Sequence, residues 1–172
     1  MSLDLLDPAK SALLVIDMQN AFCHAKGTLG VSGVNVKPAI RAIPKVKALV
    51  QGFRAAEVPV LWTVQEHFET DHKRGRKRLP SHTSKRKRVS ALSGSWDARI
   101  VKELARLADD PALVILKHRF GAFHQTRLEQ VLGMLGVEAL FVAGVTANAC
   151  VETTLREAYL RDYDVVAVSD AI

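Results

Sequence analysis

Three residues of different chemistry each sit at the end of an apolar run: Asp17 after "SALLVI", Lys117 after "ALVIL", and Cys150 within "GVTANACVETT" just past "EALFVAG". A lone cysteine in an apolar stretch is ordinarily a small buried filler. A carboxylate beside it could take its proton, and an ammonium could keep that carboxylate oriented while favouring the thiolate. Asp17, Lys117 and Cys150 thus have the types needed for a base, a cation and a nucleophile. The expected helix after "GVTA", capped by Asn148, puts Cys150 in a first turn, where the helix dipole should depress the thiol pKa. Backbone amides around Thr146 and Cys150 could hold an oxyanion formed on a substrate carbonyl.

For these residues to meet, the runs must be strands of one sheet. Five continuous runs rich in Val, Ile, Leu and Ala occur at 11–17, 58–64, 112–117, 138–144 and 164–170. Continuous rather than alternating hydrophobicity suits parallel strands covered on both faces. Helical patterns fall between them. Segment 37–57 places Ile40, Ile43, Val46, Val50 and Phe53 at helical spacing, with Pro38 in the first turn and Pro44 expected to kink or split it. A second helix is expected from Ser95 or Asp97 through "ARIVKELARLA". A third should start at Thr126, where "TRLE" offers a capping box with Glu129, and stop at Gly136; a fourth should run from about Asn148 to Arg161. This alternation predicts a three-layer α/β/α sandwich with a Rossmann-like, mainly parallel sheet, whose site lies beyond the carboxyl ends of the strands.

Composition narrows the function classes. The 172 residues are 48% apolar and 24% charged, enough for one domain over 1–172 that buries roughly 70% of its unfolded surface. No apolar run reaches the length of a membrane span, and the N-terminus lacks a basic, cleavable leader, so the expected address is cytoplasmic with no membrane partner. Two cysteines, Cys23 and Cys150, are too few for a disulfide framework. The net charge of +6 is local: residues 71–88 hold nine Lys/Arg against one Asp, so the remainder carries −2. That run belongs to a long basic loop insertion, 65–95. No aromatic residue lies between Lys73 and Arg88 to stack bases, so nucleic acid is a poor fit. The run could instead rim a pocket and steer an anionic substrate.

Glu66, His67, His72 and His82 carry groups that could ligate zinc or iron, yet their spacing matches no closed metal motif and Gln65 stands where a carboxylate ligand would be expected. They rank as weak candidates, and the expectation is no metal and no cofactor.

The blocks "ALLVIDMQNAFC" (12–23), "ILKHRFGAFHQTRLEQVL" (115–132) and "GVTANACVETTLREAYLRDYDVVAVSDA" (144–171) together resemble the isochorismatase-like cysteine hydrolases, the family of nicotinamidases, N-carbamoylsarcosine amidases and isochorismatases. The resemblance spans nearly the whole chain in order. It implies an Asp17–Lys117–Cys150 triad, an oxyanion hole at Thr146 and Cys150, and a cis peptide at Val145–Thr146. By match Phe22 and Phe123 should line the pocket, with Gln65 beside them, while Asn20 belongs to the first block and Thr126 is equally explained as a helix cap. The resemblance also implies a homo-oligomer acting on a small molecule.

The sequence departs from the family pattern in three places. It ends at Ile172, where a further helix and often a sixth strand are expected, so either the sequence is truncated or the last layer is missing. The usual order "GVATN-CV" reads "GVTANACV", transposing Thr146 and Ala147. "QEHFETDH" only half resembles the metal site of the nicotinamidases. The leading expectation is hydrolysis of a C–N bond in a small carboxamide, ureido or carbamoyl compound through a cysteine thioester. Isochorismate-type vinyl-ether hydrolysis is one alternative, and a non-catalytic scaffold binding acidic partners through the basic loop is another.

Overall fold

Each of the five apolar runs forms a strand. In the computed structural model, which describes residues 6–72 and 86–172, β1 (Ser11–Ile16), β2 (Val60–Gln65), β3 (Val114–Lys117), β4 (Ala139–Gly144) and β5 (Asp164–Ala167) make one all-parallel sheet in the order β3-β2-β1-β4-β5. β1 is central and buried at every position, which is why its sequence is apolar without alternation. Leu13, Val15, Val60 and Trp62 face one layer of the core, and Leu14, Ile16, Leu61 and Ile115 face the other.

Helix α3 (Lys37–Ala55) follows two short turns, α1 (Asn20–Cys23) and α2 (Thr28–Val31), and buries Ile43, Val46 and Val50 against the first layer. Two expectations fail on it. Pro44 lies inside an unbroken helix; it sits on the exposed face, where the carbonyl its ring leaves unpaired can reach water. Ile40 is 38% exposed, one turn off the buried stripe. Phe53 is half-buried and packs edge-on against Phe141, 5.1 Å between ring centres.

Beyond β2 comes α4 (Glu69–His72), and the second expected helix shrinks to α5 (Lys102–Ala105). The backbone just before α5 is committed elsewhere: Asp97 O and Arg99 O accept from the N–H groups of Ala21 and Asn20, and Val101 N–H donates to Met18 O. Extended pairing with the segment after β1 therefore displaces the helix. The third helix, α6, spans Leu128–Met134. Thr126 Oγ1 accepts from Leu128 N–H, as a cap should, but Glu129 forms no capping box; it pairs with Arg161 at 3.1 Å. Gly136 ends the segment at φ +66°. After β4 the chain passes through a π-helical turn, Ala147–Val151, into α7 (Glu152–Tyr159). No helix among the described residues is long and apolar enough to cross a membrane.

The connections β1→β2→β3 run one way across the sheet, and β4 and β5 lie on the other side of β1. Strand order therefore reverses between β1 and β4, so a crevice opens at their carboxyl ends. Gly144 closes β4 beside Ile16 at φ +112°, and a Cβ there would lie 2.2 Å from Ile16 O. Only glycine lets the two strands meet so closely at the mouth of the crevice.

Candidate active site

Lys117, Gln65 and Asp17 end three adjacent strands, so the sheet itself lines them up. The Gln65–Lys117 register pairs two of them directly, and Asp17 follows β1 next door at φ +49°. Asp17 and Lys117 are both fully buried, with Lys117 Nζ 2.7 Å from Asp17 Oδ2. Nζ also donates to Gln65 Oε1 (2.5 Å) and to Arg119 O (3.0 Å), which occupies its three protons. Asp17 Oδ1 accepts from Thr63 Oγ1, whose oxygen accepts from Asp17 N–H. Oδ2 pairs with the ammonium, and the Cys150 thiol lies within hydrogen-bonding reach of the same carboxylate.

Gln65 is held from two sides. Its backbone N–H donates to Gln19 Oε1, and Gln19 Nε2 donates back to Gln65 O and to Ala98 O. His67 Nδ1 lies 2.7 Å from Ser90 O, which can only accept, so that nitrogen carries the proton. Nε2 therefore accepts from Gln65 Nε2 at 3.1 Å, which turns Gln65 Oε1 toward Lys117. Both ring nitrogens of His67 are thus engaged in holding Gln65. Glu66 binds Lys117 O through its own N–H, and its carbonyl meets His118 Nδ1. Among the described residues no three His, Cys, Asp or Glu side chains gather as a metal cage. His82 and residues 73–85 of the basic run lie outside the described residues, as does the side chain of His72.

The thiol arrives from the other side of the crevice. β4 leads through the cis Val145–Thr146 peptide into the π-helical turn that contains Cys150. Thr146, not Asn148, is the residue preceding this turn. Asn148 is exposed and makes no capping bond, because the wide turn carries it past the cap position. Cys150 O accepts from Thr154 Oγ1 (2.7 Å), which in turn accepts from Ala122 N–H (3.1 Å), tying the thiol's turn to the loop after β3. Glu157 reinforces that tie by accepting from Phe123 N–H, and its carboxylate fills the space where a Cβ on Gly121 would stand.

A cavity of about 90 Å³ lies where these elements converge. Asp17, Gln65, Thr146 and Cys150 line it together with Phe22, Leu29, His67, Phe120 and Arg86. Phe22 and Gln65 thus stand where the sequence places them. Phe123 does not: it is buried in the second core layer against Tyr163, with the Arg161 guanidinium 4.8 Å from its ring centre. Phe120, three residues earlier, takes the wall position. Asn20 is likewise outside the cavity lining, its amide donating to Trp96 O.

The electrostatics reverse one expectation. Burial pushes the Cys150 thiol up to about 12, Asp17 adds to the effect, and Lys117 opposes it. The expected depression at a helix start is outweighed because the sulfur is buried beside a carboxylate. Burial alone would lower the Lys117 pKa, but the neighbouring Asp17 and Cys150 more than offset it, so the amine stays charged.

Thr63, Gln19, Thr154 and Arg86 are site or supporting residues that sequence reading missed. Thr63 had a signal, being the sole hydroxyl in "VPVLWTV", two residues before Gln65. Arg86 had none, as one of nine cations in its run.

A family model described as the isochorismatase domain matches residues 11–172. Among solved structures, an isochorismatase family protein from Desulfovibrio vulgaris subsp. vulgaris str. Hildenborough is 30% identical, with 94% of this chain and 80% of that one aligned and a TM-score of 0.75. A cysteine hydrolase from Pseudomonas syringae pv. phaseolicola 1448A is 29% identical over 96% of this chain and 73% of that one, TM-score 0.75. A nicotinamidase from Bacillus subtilis is 25% identical over 95% and 86%, TM-score 0.78.

Proposed function

The chain belongs to the isochorismatase family and is a hydrolase, and from that premise we propose that it cleaves the C–N bond of a small carboxamide or ureido compound through a thioester on Cys150. The carrying observation is a fully buried Asp17–Lys117 pair whose aspartate lines the same small cavity as the thiol. A neutral thiol beside a buried carboxylate suits proton transfer during attack better than a stored thiolate.

In the proposed cycle, Asp17 takes the Sγ proton as sulfur bonds to the carbonyl carbon. The carbonyl π electrons move to oxygen, where N–H groups of Thr146 and Cys150 receive the negative charge. As the oxyanion collapses, the C–N bond breaks and Asp17 returns its proton to the departing nitrogen, leaving a thioester and free ammonia or amine. Asp17 then deprotonates water, the hydroxide adds to the thioester, the C–S bond breaks, and sulfur recovers the proton. Lys117 stays charged throughout, holding Asp17 in position by its ion pair as the carboxylate gains and loses a proton. The proposal places this reaction on a cytoplasmic homo-oligomer acting on a small molecule without a cofactor.

Cys150→Ala is expected to abolish ammonia release across a panel of nicotinamide, carbamoyl and ureido compounds while the circular-dichroism spectrum and melting curve remain those of the native protein. Ammonia release at the native rate by the folded variant would remove Cys150 as nucleophile.

A further inference from the structure

Among the described residues, two charged side chains line the cavity, Asp17 and Arg86. Asp17 is neutralised by Lys117 at 2.7 Å. The half-buried Arg86 guanidinium forms no hydrogen bond or ion pair among the described residues. The nearby carboxylate of Asp97 is already occupied, accepting from Thr28 N–H, Thr28 Oγ1, Ala91 N–H and Arg88. With the thiol protonated, the described lining therefore carries one surplus positive charge, held in a partly dry space where a guanidinium without a counter-ion is costly.

That cation is also held in place. Arg88, two residues on, donates to Thr28 Oγ1, Lys26 O and Asp97, and Lys87 N–H donates to Ser32 Oγ. Further along, Ser90 O receives His67 and Ala91 O accepts from His67 N–H. The backbone carrying Arg86 is thus bolted to α2 on one side and to the residues after β2 on the other. Burial lowers the Arg86 pKa while Cys150 and Asp97 counter it, which places the guanidinium within electrostatic reach of the sulfur.

We propose that Arg86 is the anion subsite of this cavity, and that the preferred substrate is a small amide or ureido compound bearing a carboxylate close to its scissile carbonyl. The planar fork of a guanidinium matches a carboxylate with two parallel hydrogen bonds, which a flexible lysine does not. The cavity has room for roughly six to nine water-sized groups at about 10–15 Å³ each, which suits a small substrate. This inference rests on the amide-hydrolase reading, so its test is built to stand apart from turnover.

Iodoacetate and iodoacetamide deliver the same carbon to sulfur and differ by a carboxylate against an amide. Their rate ratio at Cys150, followed by peptide mass mapping, cancels the ionisation of the thiol. The ratio should fall about tenfold or more in Arg86→Met, recover in part in Arg86→Lys, and stay native in Lys87→Gln, a control for general surface charge. Turnover supplies the second arm: the native preference for a ureido acid over its methyl ester should drop about tenfold in Arg86→Met. An unchanged iodoacetate-to-iodoacetamide ratio in Arg86→Met overturns the subsite. Absence of ammonia from both acid and ester, with the ratio still falling, would fault the amide reading and leave the anion subsite standing.

Discussion

Cys150 and Cys23 are both buried thiols raised to about 12, yet their surroundings differ. Cys23 packs near Met18, its sulfur 4.0 Å from the thioether, and does not line the cavity. Cys150 faces the Asp17 carboxylate, whose Oδ2 is paired with the Lys117 ammonium. The like charge of Asp17 makes the thiolate harder to form, while its basicity is what the proposed attack needs. These two effects can be separated. Asp17→Asn should move the pH midpoint of Cys150 alkylation down by roughly one pH unit or more, because a repelling charge is gone, and should also abolish turnover. A midpoint that stays put or rises in Asp17→Asn would contradict the placement of carboxylate and thiol. The placement of Asp17, Lys117 and Gln65 side by side was legible because each stands at the end of a strand, and strand ends in a parallel sheet share one edge. The thiol pKa was misjudged because a helix-start argument counts the dipole and cannot count burial, which comes from packing in the second core layer.

At the scale of elements, the site depends on a knot outside the sheet. Asp97, 6% exposed, binds α2 through Thr28, the arm 86–91 through Ala91 and Arg88, and through its carbonyl the segment after β1. Its removal strands several donors in the interior. Asp97→Ala should cost roughly 3–5 kcal/mol in urea unfolding and weaken the discrimination attributed to Arg86. A loss under about 1 kcal/mol would show that the arm is held some other way. None of this was legible in the sequence: the window 95–107 carries a helical pattern, and its helix is lost to backbone pairing with residues that lie 76–83 positions earlier in the chain. Helix α3 failed in the opposite sense, since Pro44 breaks helices only where its lost hydrogen bond would be buried. The five strands, by contrast, were found to within two or three residues because continuous apolar runs bounded by charge leave parallel strands as the natural solution.

Across the whole molecule, charge and chemistry are divided. The sheet and its helices are near neutral, and the basic excess is concentrated in residues 71–88, of which Arg86 lines the cavity. It is the one described residue of the basic run to do so, and the sequence could not tell which of the nine cations that would be. Family membership supplies the hydrolase and leaves the substrate to the cavity. The account stands or falls on a covalent bond between substrate carbon and Cys150. A single turnover with a small ureido acid, quenched in acid before the first cycle ends and read by intact-protein and peptide mass, should show the acyl group added on the peptide holding Cys150. Hydroxylamine should release it as the hydroxamate. Ammonia formed at the full rate with no mass added at Cys150 would contradict the thioester and the role of the thiol.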